Sequence, residues 1–214
     1  MSQNSQKLPQ KANVSLSLKL ACGAVMTALS VVLMYMEVAL PFMPPFLKFD
    51  FSEIPVLVGS FTLGPWYGVA IELLKNLIHL PVTATSGIGE MSNFITGSIY
   101  VFTAGAVYSR KRTMKGAIIA MTVGTIALAV IACPFNYFIT LPLYGSICHF
   151  TTEAIVGMSQ AVNPYITDKT SLILWGFLPF NIFKGAVVGF FTFWIYKPIS
   201  RLINSIHEKT HKKS

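Results

Sequence analysis

Long apolar runs, separated by short polar or proline-rich segments, extend along most of this 214-residue sequence. A run of about 20 predominantly apolar residues is long enough to cross a bilayer as a helix. The runs predict six membrane-spanning helices, two of them short, near residues 16–40, 54–63, 66–80, 91–108, 116–141 and 171–197. The predicted fold class is therefore an all-α integral membrane protein, a bundle of six transmembrane helices.

The two ends of the chain differ from this apolar middle. Residues 1–15 are polar and residues 201–214 are basic, so we predict two tails on either side of a transmembrane domain at 16–200. The first apolar run has no small-residue cleavage site, which favours a retained span over a secretory signal peptide.

Two loops between the spans have distinctive sequences. Residues 41–52 contain three prolines, which exclude a regular helix, yet the segment is strongly aromatic. We therefore expect this segment, the cap loop, to fold back over the bundle. Ser52 is a candidate N-cap for the second helix, with Glu53 in its first turn. Residues 143–170 predict a long mixed loop that contains a short helix near Glu153 to Met158.

The composition supports a membrane protein. Only 11% of the residues are charged, whereas a soluble domain carries about 25%. The net charge of +8 raises the alternative of nucleic-acid binding, but the basic residues cluster beside the ends of apolar runs. That distribution follows the positive-inside rule instead. With six spans, both termini and the basic cluster at 110–115 are predicted to be cytoplasmic, and the cap loop external.

The last apolar run carries one charged residue, Lys184, near its centre. An ammonium at that depth costs roughly 2.5 kcal/mol or more on insertion scales. Asn181 lies three residues earlier, so the amide and the amine share one face of a helix. Polar residues at mid-membrane usually face a cavity or a partner. We therefore predict a small-molecule site around this pair.

The third run carries Glu72, Lys75 and His79, whose spacing places all three on one helix face. One interpretation is a structural ion pair between Glu72 and Lys75, with His79 hydrogen-bonded near the interface. The alternative is a proton relay in a stand-alone secondary carrier. The absence of an internal repeat of the kind that many carriers have counts against the carrier.

Asn136 follows Pro134 in the fifth run. Proline bends a helix and frees a backbone carbonyl. Asn136 therefore either faces the bundle interior or hydrogen-bonds to a backbone group freed at the bend. In the first run, Ala24 and Ala28 form a small-xxx-small motif, which lets another helix approach closely. That helix belongs either to the same bundle or to another protein.

The sequence contains no motif for catalysis or metal binding. It has no Gly-x-x-x-x-Gly-Lys-Ser/Thr phosphate loop, no His-Glu-x-x-His and no Gly-x-Ser-x-Gly. The three cysteines have no metal-ligand spacing and indicate neither a disulfide nor a metal site. We expect a binding protein rather than an enzyme, with a pocket of aromatic rings, a few amides and one cation.

Four segments resemble the substrate-binding S-components of energy-coupling factor (ECF) vitamin transporters: Phe46–Pro55, Gly64–Gly68, Leu74–Asn76 and Gly89–Phe94. The resemblance extends over roughly residues 15–200 and is closest to the riboflavin-specific members, on the basis of Asn136 and Asn181-Ile-Phe-Lys184. It implies a six-helix bundle in a prokaryotic plasma membrane that binds riboflavin from outside. It also implies two kinds of partner, a transmembrane coupling subunit (the T-component) and two ATP-binding subunits.

The same resemblance implies roles for individual residues. It assigns Asn136, Asn181 and Lys184 to the polar edge of the ligand, Phe46, Leu47 and Asp50 to a lid, Thr85 and Gly87 to the mouth, and Ala24 and Ala28 to the interface with the coupling subunit. Other ligands stay open: FMN beside riboflavin, or another vitamin such as thiamine, biotin or folate. A membrane enzyme is a further alternative, which the absence of a catalytic constellation disfavours.

Overall fold

The computed structural model describes residues 15–211, so the predicted tail residues 1–14 and 212–214 lie outside the described residues. The described chain is mostly helical. Its elements in order are α1 (Leu16–Tyr35), β1 (Val38–Ala39), β2 (Lys48–Phe49), α2 (Glu53–Leu63), α3 (Pro65–His79), α4 (Ile88–Arg110), α5 (Met114–Phe135), α6 (Leu141–Ile147), α7 (Thr152–Gln160), α8 (Lys169–Leu172) and α9 (Leu178–His211). Two π-helical segments, Asn136–Thr140 and Ile173–Phe177, join α5 to α6 and α8 to α9.

Three helical stretches of the described chain are long and apolar enough to cross a membrane: Leu16–Tyr35, Met114–Ile147 and Lys169–Ile199. The apolar helix α2 has only 11 residues, and a helix rises about 1.5 Å per residue, so α2 is short for a bilayer. The predicted helical, membrane-compatible character is therefore present. The count of six spans stays a prediction.

Several helix boundaries differ from the predicted ones. Helix α1 ends at Tyr35 rather than near residue 40, because the chain turns there into β1. The fifth helical run continues to Ile147, since Pro142 falls in the first turn of α6, where a missing N–H is tolerated. Helix α9 extends to His211, so the predicted boundary at residue 200 lies inside it.

Helices α2 and α3 form an antiparallel hairpin that turns at Gly64. This residue has a φ of +124°, which L side chains rarely adopt. Beyond the turn the helices are in close contact, because a Cβ on Gly68 would lie 2.7 Å from the Cβ of Ser60. The hairpin thus brings Glu53, at the start of α2, against Lys75 near the end of α3.

Two clusters of buried apolar side chains fill the bundle. The first surrounds Phe61, Tyr108 and Tyr196, near the α2–α3 turn. The second surrounds Leu47 and Phe177 and packs the cap loop against the helices at the opposite end. Residues from both clusters line one cavity, which therefore lies between them.

The cap loop takes the predicted form, while the predicted loop at 143–170 is shorter, because residues 143–147 are helical. The cap loop folds back over the bundle: the antiparallel β1–β2 pair closes it, and its side chains Leu47 and Phe49 are buried. Helix α7 confirms the short helix predicted in the long loop. Ser52 precedes α2, but its side chain does not cap that helix. Its hydroxyl instead accepts a hydrogen bond from Lys75 at 2.9 Å.

We expect Gly105→Ala to destabilise the bundle. A Cβ on Gly105 would lie 2.1 Å from Ser60 Oγ and 3.1 Å from Pro65 Cα, so α4 would have to move away from the α2–α3 turn. Overpacking of this kind costs about 1–3 kcal/mol, and thermal unfolding in detergent would show a lower midpoint. Gly157→Ala is the matched control, because a Cβ there meets nothing within 4 Å. Equal midpoints for the two variants would contradict the expectation.

Candidate functional site

A cavity of about 520 Å³ lies beneath the cap loop. It is lined by seven of the eight residues predicted to contact or cover a ligand, namely Phe46, Leu47, Asp50, Thr85, Asn136, Asn181 and Lys184. The eighth, Gly87, is not part of the lining. It is the N-cap residue of α4, with a φ of +84°, so its role in the structure is to start that helix.

Two of the three asparagines that line the cavity, Asn136 and Asn181, lie in or just after the π-helical segments. Asn136 donates from Nδ2 to the carbonyl of Ala132 at 2.7 Å, and Asn181 donates to the carbonyl of Phe177 at 2.8 Å. Each side chain is therefore fixed to its own helix, and both are buried. Both predicted roles of Asn136 are present, because its side chain hydrogen-bonds to its own helix near Pro134 and also lines the cavity.

Lys184 supplies a buried ammonium in the cavity wall. Its Nζ donates to Asn93 Oδ1 at 3.1 Å and lies 3.5 Å from Asp50 Oδ2 and 3.8 Å from Glu53 Oε1. The side chain is thus paired from three elements, α4, the cap loop and α2. An ammonium has three N–H donors, and the long distances to the two carboxylates leave it able to donate to a ligand acceptor.

Asp50 connects the cap loop to this cation. Its Oδ1 accepts a hydrogen bond from the N–H of Ser52 at 2.7 Å, which fixes the end of the loop ahead of α2. Burial alone would raise the pKa of Asp50, but the charges of Lys184 and Lys75 and the bond from Ser52 hold the pKa below its ordinary value. Asp50 is therefore an ionised group that pairs the cap loop with α9.

The wall around Thr85 is organised by Glu90 in the first turn of α4. Glu90 Oε1 lies 2.9 Å from His79 Nδ1, while Oε2 accepts from Thr83 at 2.7 Å and from Thr85 at 3.3 Å. One carboxylate thus joins the end of α3, the loop after it and the start of α4. The predicted hydrogen bond of His79 is present, with Glu90 as its partner.

Glu72 and Lys75 form the predicted ion pair, with Lys75 Nζ 2.9 Å from Glu72 Oε1. Glu53 Oε1 lies 3.0 Å from the same ammonium, as a third member. All three side chains are almost fully buried. Of these, only Glu53 lines the cavity, so the ion pair itself lies behind the cavity wall.

Residues 18–196 match the protein family described as "ECF transporter, substrate-specific component". This chain belongs to that family. The match covers nearly all of the described helices and confirms the resemblance seen in the four sequence segments. The members are substrate-binding subunits of transporters and not enzymes, so the cavity of this S-component is a candidate substrate site rather than an active site.

Known S-components agree with this assignment in sequence and in fold. This S-component is 30% identical over 197 residues to the riboflavin transporter RibU of Staphylococcus aureus (strain TCH60), covering 92% of this chain and 98% of that protein. It is 27% identical over 176 residues to the riboflavin transporter FmnP of Bacillus subtilis (strain 168), covering 79% of this chain and 85% of the relative. A solved structure described as "Structure and mechanism of the S component of a bacterial ECF transporter" has a TM-score of 0.69 and 28% identity, over 88% of this chain and 99% of that chain.

Ala24 and Ala28 lie on an exposed face of α1 in this S-component. The face is also open at Gly23, where a Cβ would meet nothing within 4 Å. No other described helix of the chain covers this small-residue stripe. The face is therefore available to lipid or to a partner protein.

Sequence reasoning missed several residues that line the cavity of the S-component, among them Glu53, Asn93, Gly97 and Tyr100. Glu53 and Asn93 are polar residues at the starts of apolar runs, which is a usable signal, but the sequence does not show which way they point. Gly97 and Tyr100 carry no such signal, because their role depends on how α4 packs against α3 and α9.

Proposed function

We propose that this S-component captures riboflavin in the cavity beneath the cap loop and passes it inward as part of an ECF importer. The observation that carries the proposal is the lining of the cavity, where aromatic rings from the cap loop and α9 lie beside three amides and the buried ammonium of Lys184. The names of the relatives, riboflavin transporters RibU and FmnP, support this choice of vitamin.

Riboflavin has a flat three-ring system with a polar edge and a flexible chain of hydroxyl groups. In our proposal Phe46 and Phe177, whose ring centres lie 5.7 Å apart, form an apolar wall for the ring system. The amides of Asn136 and Asn181 and the ammonium of Lys184 hydrogen-bond to its polar edge. Thr85 lies at the mouth. Phe46, Leu47 and Asp50 then form the lid, since the cap loop carries all three.

The proposal includes a topology and partners. We place six helical passes in a prokaryotic plasma membrane, with both termini on the cytoplasmic side. In support, the basic segment at 110–115 and the described residues 197–199 lie at the α2–α3 turn end of the bundle, and the cap loop lies at the opposite end. A transmembrane T-component and two ATP-binding subunits would complete the importer, and the exposed face at Ala24 and Ala28 is where we place the T-component.

The test is the visible absorption spectrum of the protein purified in detergent from cells fed riboflavin, followed by titration of the stripped protein. We expect a flavin band and tight one-to-one binding, and FMN as a competitor would show whether the phosphate is accepted. A colourless protein that does not bind riboflavin would overturn the choice of vitamin. The same titration with thiamine, biotin or folate would then identify the alternative ligand.

A further inference from the structure

In and behind the cavity wall, six side chains form a closed ring of hydrogen bonds and ion pairs, which we call the polar ring. Its members are Glu53, Glu72, Lys75, Asn76, Asn93 and Lys184, from α2, α3, α4 and α9. Three of them line the cavity, namely Glu53, Asn93 and Lys184, and the other three are buried behind it. The ring therefore connects the cavity wall to groups that no ligand can touch.

The amides give one half of the ring a fixed direction. Lys184 donates to Asn93 Oδ1 at 3.1 Å, Asn93 donates to Asn76 Oδ1 at 3.2 Å, and Asn76 donates to Glu72 Oε1 at 2.9 Å. Each amide thus presents its oxygen toward the cation and its nitrogen toward the carboxylate. Each asparagine takes part in two of these bonds, and exchanging the positions of its amide oxygen and nitrogen would break both. The orientation of Asn93 toward Lys184 therefore depends, through Asn76, on Glu72.

The two lysines of the ring differ in how fully they are bound. Lys75 is 0% exposed and uses all three N–H donors, on Ser52 Oγ at 2.9 Å, Glu53 Oε1 at 3.0 Å and Glu72 Oε1 at 2.9 Å. Lys184 shares Glu53 Oε1 with it, but at 3.8 Å. The carboxylate is therefore held mainly by Lys75, and Lys184 stays beside the cavity.

Helix α4 is shaped around this arrangement. A Cβ on Gly97 would lie 2.6 Å from Glu72 Oε1 and 3.0 Å from Glu53 Oε1, so only a glycine leaves room for both carboxylates. The second oxygen of each carboxylate has no hydrogen-bond partner among the described residues. Among the described residues, the ion pairs and hydrogen bonds of both carboxylates therefore come from members of the ring. Losing the Lys75 ammonium would leave the buried Glu72 carboxylate without a cation.

We propose that Lys75 is a positioning residue for ligand binding, which keeps Glu53 from drawing the Lys184 ammonium out of the ligand site. Without Lys75, Lys184 is the one cation among the described residues that pairs with Glu53, and a charged N–H···O contact shortens to about 2.8 Å. The ammonium would move by about 1 Å, the difference between that length and the present separation. The inference rests on the proposed riboflavin binding, to which it adds a residue that does not touch the ligand.

A double-mutant cycle tests the proposal, with riboflavin affinity as the readout. We expect Lys75→Met to weaken binding about ten-fold, the scale of coupling through a connected network. In a Glu53→Gln background the same change should have little effect, because no carboxylate at that position remains to draw Lys184. Equal losses in both backgrounds would overturn the proposal, since Lys75 would then act through packing alone. Unchanged affinity in Lys75→Met would overturn it as well.

Lys75→Met combined with Glu72→Gln provides a second test in case Lys75→Met alone does not fold. This pair of changes leaves no carboxylate at position 72 without its cation and leaves Glu53 beside Lys184, so we expect a similar loss of affinity, and wild-type affinity would overturn the role of Lys75. Thr192→Val is the matched control, since Thr192 is a buried residue of α9 whose hydroxyl has no partner among the described residues. A wild-type protein that does not bind riboflavin would instead overturn the proposed function, and with it the binding role of Lys75.

Discussion

Lys184→Ala is expected to weaken riboflavin binding by about 100-fold or more, because it has two effects at the site. It removes a charged hydrogen-bond donor, worth about 1.5–3 kcal/mol. It also leaves Asp50 and Glu53, which lie 3.5 and 3.8 Å from the ammonium, without that cation beside the cavity. Removing one partner of a buried ion pair also destabilises the folded protein, by about 3–5 kcal/mol. Titration of the stripped protein with riboflavin measures the change.

The matched control for this variant is Lys169→Ala. Lys169 is also a lysine of the last helical stretch, but its ammonium lies over the ring of Tyr137, 4.1 Å from the ring centre, and does not line the cavity. Its replacement should leave the affinity within about two-fold of the wild type. If Lys184→Ala folds and binds riboflavin as tightly as this control, Lys184 does not contact the ligand.

Tryptophan at Ala24 and Ala28 is expected to abolish riboflavin uptake in cells and to leave binding by the purified protein intact. Both alanines are exposed on α1, so large side chains there do not disturb the interior of the S-component. They would instead block the close approach of a partner helix, which small residues permit. Uptake of labelled riboflavin and titration of the purified variant measure the two activities separately.

Leu29→Trp is the control for these variants, since Leu29 is a large residue of the same helix that is already 48% exposed. We expect it to retain most of the uptake. If the alanine variants lose binding together with uptake, the stripe packs within the bundle. If they retain uptake, the coupling subunit docks at another face.

The sequence predicted which residues line the cavity better than it predicted the helix ends. Asn181 and Lys184 could be found because a polar pair in an apolar run is costly unless it faces a cavity. The polar ring could not be found, since Glu53, Asn93 and Lys184 are far apart in the chain and meet only through helix packing. The ion pair of Glu72 and Lys75 could be predicted, because the two residues are only three positions apart on one helix.

The helix ends were harder to place for a related physical reason. Hydropathy measures the free energy of transferring side chains from water to an apolar phase and does not depend on backbone geometry. The π-helical segments at Asn136 and Ile173 therefore leave no signal in the hydropathy pattern. The fifth run was predicted to end near residue 141, whereas the helix continues through Pro142 to Ile147. The break between the second and third predicted runs, by contrast, falls at Gly64, where the structure turns, because a glycine there is a local constraint.

The charge balance of the polar ring also restricts how this protein can evolve. Its four charged members are two carboxylates and two ammonium groups, and three of them touch within 3.0 Å. A single substitution at Lys75 would leave the buried Glu72 carboxylate without a cation, a state that selection on stability would remove, whereas a substitution at Glu72 leaves Lys75 paired with Glu53. Lys75 should therefore be lost only where Glu72 has been lost before it or is lost with it, while the ligand-facing asparagines can change independently as vitamin specificity diverges.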